Sequence, residues 1–310
     1  MIKEDIYLPF KLKRFHSPTK QRAFKFLIDE LGISQRDSQR HIANGRLFID
    51  GKPMTKPTAE VEGEFEFVVY EPSTRGLEPI RVEDKFVVFD KPSGVLIHPQ
   101  NRNTEYSLVD ELKYQFGLEA NIAHRIDQET SGLVLCARDK QSEKDIKAMF
   151  EFRDMQKTYL ALVHGEFKNE ITVDEPLLRK EDESAIVRMV VKVHKDGKPS
   201  RTHFKPLEYF PDKDMTLVEC KPYTGRQHQI RVHLFHVKHS IVGDPIYGQD
   251  EKDVLRFLDK DISLEERVKL SGSSRLMLHA CELEFELYDK TYIIESKEGF
   301  LKEVNNLIGK

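Results

Sequence analysis

The sequence predicts an α+β protein with two domains. Its 310 residues exceed what one small core requires. Short stretches with strand periodicity alternate with a few stretches of helical periodicity, which is typical of the α+β class. Residues 71–79 contain two prolines and one glycine without apolar periodicity, so they are predicted to form a linker. We therefore place one domain at residues 1–71 and a second at residues 80–310.

The first domain is predicted to begin with an irregular arm, residues 1–18, followed by two helices. Residues 21–31 carry apolar side chains on one helical face, and Gly32 ends this helix. Ser34 is a suitable N-cap for a second helix that runs to about Asn44. The second helix has little apolar surface, of which Ile42 is the main part.

A hairpin is predicted to follow these helices. Residues 47–53 are predicted to form a strand, a turn and a second strand, and residues 65–70 a further strand. The second helix and the residue before the hairpin are basic, with Arg36, Arg40 and Arg46 as the main cations.

Charge is unevenly distributed along the chain. The whole chain carries a formal net charge of −4, whereas residues 1–56 contain 12 Lys and Arg against 6 Asp and Glu, giving 12 − 6 = +6. The remainder therefore carries −4 − 6 = −10. A basic amino-terminal module could bind RNA phosphates, or its cations could form only a solvated helix face. Charge alone leaves both interpretations open.

The second domain is predicted to alternate strands and helices. Periodicity and turn residues predict a hairpin at 86–99, a helix at 107–116, strands at 133–137 and 157–163, a helix at 140–152, strands at 185–193, 216–220 and within 275–287, and a closing helix at 300–308.

Composition argues against a membrane or secreted protein. No apolar run approaches the roughly 18 residues that a membrane-spanning helix needs, and the first residues lack the apolar core of a secretion signal. Cys136, Cys220 and Cys281 are far apart and form no Cys-x-x-Cys pair. We expect Cys136, which lies in an apolar run, to be a buried free thiol, and the protein to be cytoplasmic.

Residues 124–135 carry the clearest chemical signal in the chain. A histidine, an arginine and an aspartate, His124, Arg125 and Asp127, precede a Thr-Ser-Gly turn and a short apolar strand. The charged side chains therefore belong to a loop at the end of a strand, where catalytic groups are often found. The simpler interpretation is that Asp127 only caps the turn.

This stretch resembles the signature of the RluA-type pseudouridine synthases, in which an arginine lies two residues before the catalytic aspartate and Thr-Ser-Gly follows. Ile126 stands where leucine is more usual. Two later stretches carry the same resemblance. Residues 157–161 match a Lys-x-Tyr-x-Ala motif, and residues 224–233 match Thr-Gly-Arg-x-His-Gln-Ile-Arg-x-His, with Gln227 where threonine is more common.

The first domain resembles the small RNA-binding module of the ribosomal-protein-S-four type over roughly residues 20–70. This resemblance implies that Arg36, Arg40 and Arg46 face RNA phosphates and position the protein without reading sequence. Such modules often precede the catalytic domain in synthases that act on large-subunit ribosomal RNA, which makes that RNA the expected partner. Transfer RNA stays open as an alternative.

The resemblance implies a mixed, mostly antiparallel central sheet with flanking helices and an active-site cleft. It also implies isomerisation of uridine to pseudouridine, which needs no cofactor or metal because nothing is oxidised and no group is carried away. The base is flipped out of the RNA before reaction. Asp127 would be the reacting carboxylate, Tyr159 would stack on the flipped uracil, and Arg226 would pair with Asp127.

The resemblance assigns substrate contacts to several further residues. Arg125 would fill the vacated space in the RNA or hold a displaced phosphate, and His124, His228 and Arg231 would complete the binding set. Arg231 is the alternative partner of Asp127. Two other classes of function remain: a non-catalytic RNA-binding or ribosome-assembly protein, and a metal-dependent hydrolase that uses the histidines between residues 228 and 239. Spacing disfavours the metal site, and a monomer is expected.

Overall fold

A computed structural model describes residues 9–152, 154–179, 191–297 and 299–310. The chain divides into two compact units, one formed by residues 1–75 with 99–110 and the other by residues 76–98 with 111–310. The strand predicted at 185–193 begins outside the described residues, and only its last three residues appear, as a short strand at Val191–Val193.

The first unit contains a four-stranded antiparallel sheet in the order β1-β4-β2-β3, with two helices packed against it. Its elements are β1 (Phe10–Arg22), α1 (Ala23–Leu31), α2 (Gln35–Ala43), β2 (Leu47–Ile49), β3 (Lys52–Met54) and β4 (Glu60–Tyr70). Fully buried apolar side chains from both helices and the sheet form its core, among them Leu27, Ile42 and Leu47.

Local sequence explains both helices of this unit. Helix α1 ends at Gly32, whose left-handed φ of 64° suits a residue without a Cβ atom. Helix α2 begins after Ser34, whose hydroxyl oxygen accepts a hydrogen bond from the Asp37 backbone N–H. The predictions of these two helices, of the hairpin and of the following strand are confirmed.

The prediction of an irregular arm is wrong from Phe10 onward. Strand β1 pairs with β4 from Phe10 opposite Tyr70 to Arg22 opposite Glu60, with a register shift after Ser17. The hydrogen-bond partner of this segment lies about 50 residues away along the chain, so no local pattern could reveal it.

Residues 99–110 belong to the first unit, although the predicted boundaries gave them to the second domain. Asp110 accepts a 2.6 Å hydrogen bond from the Tyr70 hydroxyl, and Arg102 Nη2 donates to the Asn44 carbonyl oxygen at 2.5 Å. These side-chain contacts join segments that are 40 and 58 positions apart. The predicted boundaries missed them because they considered only composition.

The second unit contains a mixed sheet of ten strands in the described residues. Eight follow the order β10-β13-β14-β9-β15-β8-β6-β5, and β16 and β7 pair with β15 and β8. Its strands are β5 (Pro79–Val82), β6 (Phe86–Lys91), β7 (Asn121–Ile122), β8 (Ser131–Ala137), β9 (Met155–His164), β10 (Ile171–Asp174), β13 (Arg201–Phe210), β14 (Met215–Pro222), β15 (Leu278–Leu287) and β16 (Lys290–Glu295), with β11 (Leu177–Arg179) and β12 (Val191–Val193) in a separate pair.

In the described residues, six helices accompany these strands, and α3 begins in the first unit: α3 (Leu108–Phe116), α4 (Lys140–Phe152), α5 (Gln229–His236), α6 (Glu251–Leu258), α7 (Leu264–Ser271) and α8 (Phe300–Ile308). The predicted helices at 140–152 and 300–308 are confirmed with the same bounds. One large core lies between the sheet and α4 and includes Leu133, Ile146 and Phe285. No helix in the described ranges is long and apolar enough to cross a membrane.

Strand β8 pairs in parallel with β15 and in antiparallel with β6, so it lies inside the sheet with every residue buried. The glycine of the Thr-Ser-Gly turn is required at this position. Gly132 has φ of +109°, and a Cβ atom there would lie 2.3 Å from the Ala280 carbonyl oxygen. The turn residues thus let β8 approach β15 closely at the start of the strand.

The hairpin predicted at 86–99 is only half formed. Strand β6 is present, but residues 92–99 contain no strand. Their turn pairs with the loop before β8 instead: Gly94 N–H donates to Gln128 O at 2.9 Å, and Gln128 Nε2 donates to Gly94 O at 3.0 Å. The backbone groups that a hairpin would use are therefore taken by a distant loop.

Candidate active site

An open cleft in the second unit brings together six of the residues singled out from sequence. Its empty volume is about 490 Å³, which includes space open to solvent. These six lie among its lining residues: Arg125, Asp127, Tyr159, Arg226, His228 and Arg231.

Asp127 lies on the loop that leads into β8, and neighbouring segments hold this loop in place. Lys91, whose side chain is fully buried, donates from Nζ to Gln128 O at 3.0 Å and to Pro92 O at 2.9 Å. The Ser93 hydroxyl donates to Glu129 O at 2.6 Å. The residues after Asp127 are therefore fixed by a buried cation and a hydroxyl from the turn that follows β6.

Among the described residues, Arg231 is the arginine in contact with the Asp127 carboxylate. Nη1 of Arg231 lies 3.2 Å from Asp127 Oδ2. The predicted pairing with Arg226 is wrong, because Arg226 is exposed and its Nε donates to Pro199 O at 3.2 Å. Arg231 lies in the first turn of α5 and points into the cleft, whereas Arg226 precedes the helix on a loop.

Arg231 is oriented by a second carboxylate deep in the protein. Its Nε and Nη2 donate to the two oxygens of Asp244 at 2.7 and 2.8 Å, and both side chains are almost fully buried. Burial alone would lower the pKa of Arg231, but Asp244 and Asp127 raise it, so the guanidinium stays charged. The same arginine overcomes the effect of burial on Asp244 and lowers its pKa.

Asp244 is itself held by backbone donors. Its Oδ1 accepts hydrogen bonds from the N–H groups of Ile246 and Tyr247 at 2.9 and 3.0 Å. The preceding Gly243 has φ of +79°, and a Cβ atom there would lie 1.8 Å from the Arg275 carbonyl oxygen. The Gly-Asp-Pro segment thus supplies a fixed counter-charge for Arg231, a role that the sequence did not reveal.

His228 also lies near Asp127, with Nε2 3.8 Å from Asp127 Oδ2. Burial, together with the charge of Arg231, lowers its pKa to about 4, so the ring is neutral at neutral pH. The Tyr247 hydroxyl accepts from Val191 N–H at 3.1 Å and lies 2.9 Å from His228 Nδ1. If that hydroxyl donates to Nδ1, the ring proton is on Nε2 and faces Asp127.

The backbone of His228 adopts a left-handed conformation with φ of 54°. This conformation is uncommon for a residue with a Cβ atom, and such residues are often found at functional sites. Gln229, the next residue, is buried and stabilises the loop before α5. Its Oε1 accepts hydrogen bonds from Thr224 Oγ1 at 2.6 Å and from Arg226 N–H at 3.1 Å.

Tyr159 forms part of the cleft wall from strand β9, which lies between β14 and β15. Its side chain is buried, and burial together with the charge of Asp127 raises the pKa of the phenol above its ordinary value. The ring is therefore a neutral aromatic surface beside the carboxylate.

Lys157 is a cleft residue that sequence reasoning missed. It lies two residues before Tyr159 on the same strand, so both side chains point to the same face of the sheet. Burial lowers its pKa, and its Nζ lies 5.5 Å from the centre of the Phe150 ring. The Lys-x-Tyr spacing was the signal that could have found it.

His124 does not occupy the position expected of a substrate contact. Its Nε2 accepts a 2.9 Å hydrogen bond from Leu135 N–H, and its ring packs at 4.8 Å on Phe150. Burial lowers its pKa to about 3. The ring therefore holds the start of the Asp127 loop against β8, and its role in substrate binding stays a prediction.

The cations predicted to contact phosphate lie in the first unit, on or near α2. Arg36 and Arg40 are exposed, and Arg40 forms a 2.9 Å ion pair with Asp37. Arg46 packs over the Phe10 ring at 5.0 Å. Arg102, which sequence reasoning missed, joins this set through its bond to Asn44 O.

The histidines that suggested a metal site have other partners. His233 lies within hydrogen-bond distance of Thr202 and Ser200, at 2.9 and 3.2 Å, and His239 Nδ1 lies 2.9 Å from His164 O. In the part of the chain that the structure describes, no group of three or more His, Cys, Asp or Glu residues is arranged to hold a metal ion.

The cleft combines a partly exposed carboxylate, a fixed arginine, a neutral histidine and a buried tyrosine. A carboxylate held in this way can act on an electron-poor sugar carbon, as in glycoside cleavage, while an aromatic ring beside it can stack on a base. The site is therefore suited to chemistry on a nucleoside.

Comparison with known proteins defines the class. Residues 85–236 match the family model described as RNA pseudouridylate synthase. An uncharacterized RNA pseudouridine synthase of Helicobacter pylori is 35% identical over 289 residues, which cover 93% of this chain and 96% of that protein. The chain belongs to the RNA pseudouridine synthase family, and it is an isomerase that acts on RNA.

Other relatives differ in their substrates. A ribosomal large subunit pseudouridine synthase D of Nitrosomonas europaea is 36% identical over 55% of this chain and 49% of that protein. A mitochondrial tRNA pseudouridine(32) synthase of Saccharomyces cerevisiae is 34% identical over 73% of this chain and 51% of that protein. The structure of human RNA pseudouridylate synthase domain containing 1 matches with a TM-score of 0.59 and 25% identity, covering 76% and 90% of the two chains. The predicted pseudouridine synthase fold is confirmed.

Proposed function

We propose that Asp127 is the catalytic carboxylate of this synthase. Among the described residues that line the cleft, it is the only one with a carboxylate, and this observation carries the proposal. Arg231 and His228 approach the same oxygen, Oδ2, so that the other oxygen is left to face a substrate. The 26% exposure of the side chain allows such an approach.

The reaction exchanges one bond for another within a single nucleotide. The bond between the ribose carbon and the uracil nitrogen breaks, the base turns, and a ring carbon joins the same ribose carbon. That ring carbon loses a proton and the nitrogen gains one, so atoms and charge balance without a cofactor. Asp127 acts at the sugar, where positive charge develops, and Tyr159 stacks on the freed base.

The target uridine must leave the RNA stack to reach Asp127. Flipping costs a few kcal/mol, and stacking on Tyr159 contributes about 1–3 kcal/mol in return. Arg125 and Lys157, both in the cleft wall, are placed to bind the phosphates on either side of the flipped nucleotide. Arg226 is exposed at the same wall and serves the same purpose.

The first unit is proposed to be an RNA-binding module of the S-four type. Its two helices and hairpin support this assignment, and Arg36, Arg40 and Arg46 are its proposed phosphate contacts. Burial lowers the pKa of Arg46, and the nearby charges of Arg102 and Arg40 lower it further. A phosphate would relieve this repulsion between like charges.

We propose large-subunit ribosomal RNA as the substrate and the cytoplasm as the site of action of a monomer. The similarity to a ribosomal large subunit synthase supports this choice, and the S-four-type module agrees with it. The similarity to a mitochondrial tRNA synthase makes transfer RNA the second candidate.

Pseudouridine mapping of total RNA tests these proposals together. Cells lacking the gene are compared with cells restored with the wild-type protein or with Asp127→Asn. We expect specific sites in large-subunit ribosomal RNA to vanish and to return only with the wild-type protein. Sites lost from transfer RNA would select the second substrate, and restoration by Asp127→Asn would reject the catalytic assignment.

A further inference from the structure

Tyr223 is half exposed and is adjacent in sequence to two residues of the cleft wall. It stands between Pro222 and Thr224, which both line the cleft, and its relative exposure is 51%. Its hydroxyl has no hydrogen-bond partner among the residues that the structure describes. Neither burial nor hydrogen bonding therefore explains an aromatic side chain here.

The backbone beneath this ring is held firmly. Tyr223 N–H donates to Arg201 O at 3.0 Å, and Arg201 N–H donates to Thr224 Oγ1 at 3.1 Å. Gln229 Nε2 donates to the same Arg201 carbonyl at 3.0 Å. Through Gln229, these bonds connect Tyr223 to the start of α5, which carries Arg231.

The Arg201 guanidinium covers part of the ring. Its central carbon lies 5.2 Å from the centre of the Tyr223 ring, a distance at which a cation interacts favourably with an aromatic face. The half-exposed residue thus offers aromatic surface to solvent beside a positive charge. Such a combination of an aromatic ring and a cation is how single-stranded nucleic acids are bound without sequence preference.

We propose that Tyr223 and Arg201 form a platform on which a nucleobase next to the target uridine stacks. The proposal rests on the proposed function, because it assumes that the target base enters the cleft at Asp127. When one nucleotide is flipped out of a strand, its neighbours lose a stacking partner. The Tyr223 ring replaces that partner for one neighbour, and Arg201 binds the adjoining phosphate. Tyr223 is thereby a substrate-binding residue that determines how tightly a flipped strand is held.

The first test uses an RNA fragment that carries the site found by mapping. Tyr223→Ala is expected to lower kcat/KM by about 5- to 100-fold, mainly through KM, because one base–aromatic stack is lost. Tyr223→Phe keeps the ring and is expected to stay within about twofold of wild type. Tyr114→Ala is the matched control, because Tyr114 is 58% exposed on α3, and it is expected to leave kcat/KM unchanged.

The base that stacks is identified by replacing each neighbour of the target uridine with an abasic nucleotide. At one position the replacement should lower the kcat/KM of wild type but not that of Tyr223→Ala, because the variant already lacks the stack. If every abasic replacement lowers kcat/KM by the same factor in wild type and in Tyr223→Ala, the proposed platform is wrong. A Tyr223→Ala variant that behaves like Tyr114→Ala on a fragment that wild type modifies would also overturn it. A fragment that wild type leaves unmodified would instead reject the proposed function, and the platform with it.

A fluorescence experiment gives an independent readout. The chain contains no tryptophan, so Tyr223→Trp introduces a single indole at the platform. Binding of the same fragment by Tyr223→Trp carrying Asp127→Asn should quench this emission, because a base stacks on the indole. The Tyr114→Trp counterpart should not respond. Equal responses from the two proteins would contradict stacking at Tyr223.

Discussion

The exposed arginines of α2, Arg36 and Arg40, form the basic face of the first unit. The cleft of the second unit also contains arginines, but their surroundings are the opposite. Arg231 in the cleft has a side-chain exposure of 2% and two hydrogen bonds to a fully buried carboxylate. Arg40 on the basic face has a side-chain exposure of 62% and an ion pair with the partly exposed Asp37. One arginine is fixed to a single direction, and the other is surrounded by water.

This difference in burial indicates that the two arginines have different functions. A buried ion is costly unless its partner is well placed, so Arg231 and Asp244 are retained where direction matters. Exposed ion pairs contribute little to stability, so the cations of α2 are free to exchange their partner for an RNA phosphate. Chemistry requires the first arrangement, and attraction of a polyanion requires only the second.

The largest effect is expected at the carboxylate itself. Asp127→Asn keeps the shape of the side chain but removes its charge, so turnover should fall by a factor on the order of 10²–10⁴ or more. Folding and RNA binding should change little, which circular dichroism and a filter-binding assay would check. Residual conversion above about a tenth of the wild-type rate would exclude Asp127 as the catalytic residue.

The next largest effect is expected at the buried ion pair of Arg231 and Asp244. Asp244→Asn leaves Arg231 buried with a weakened counter-charge, so the free energy of unfolding should fall by about 3–5 kcal/mol and activity should fall with it. Asp37→Asn makes the same change beside the exposed Arg40 and should cost less than about 1 kcal/mol. Urea unfolding of both variants measures the contrast, and equal losses would contradict it.

The pKa of His228 gives a stability effect with a defined sign. The folded protein keeps the ring neutral down to a pKa of about 4, whereas the unfolded chain takes up a proton near pH 6.5. Below pH 6.5 the unfolded state binds more protons, so stability decreases as the pH falls. The contribution lost between pH 6.5 and 5 is about 1.6 kcal/mol.

A substitution isolates this contribution. His228→Asn removes the titrating ring, and asparagine tolerates a left-handed backbone better than most residues. The difference in unfolding free energy between pH 7 and pH 5 should therefore be smaller for the variant than for wild type, by about 2 kcal/mol. An identical pH dependence of the two proteins in urea unfolding would show that His228 titrates normally.

The smallest effects are expected on the basic face. Alanine at both Arg36 and Arg40 should weaken RNA binding and flatten the slope of log K against log salt by about 1.4–1.8, because two phosphate contacts are lost. Lysine at both positions keeps the charges and should leave the slope nearly unchanged. Titrations at several salt concentrations would test this, and an unaltered slope in the alanine variant would reject the phosphate contacts.

Much of the local structure followed from short patterns. Helical periodicity with Gly32 and Ser34 at the boundaries predicted α1 and α2. An apolar run predicted β8, and alternation with β-favouring residues predicted β9. The motifs around Asp127, Tyr159 and Arg231 predicted which segments would meet in the cleft. These features depend on neighbours in the chain or on motifs whose residues are contiguous.

What the sequence by itself determined was therefore the class of protein, most of the regular elements and six of the residues that line the cleft. The tertiary structure decided which arginine contacts Asp127, that His124 supports the chain, that β1 is a strand, and that residues 99–110 join the first unit. Each of these depends on a partner far away in the chain, such as Asp244 for Arg231 or β4 for β1. Such contacts form only when the chain is folded, because local periodicity carries no information about a distant hydrogen-bond partner.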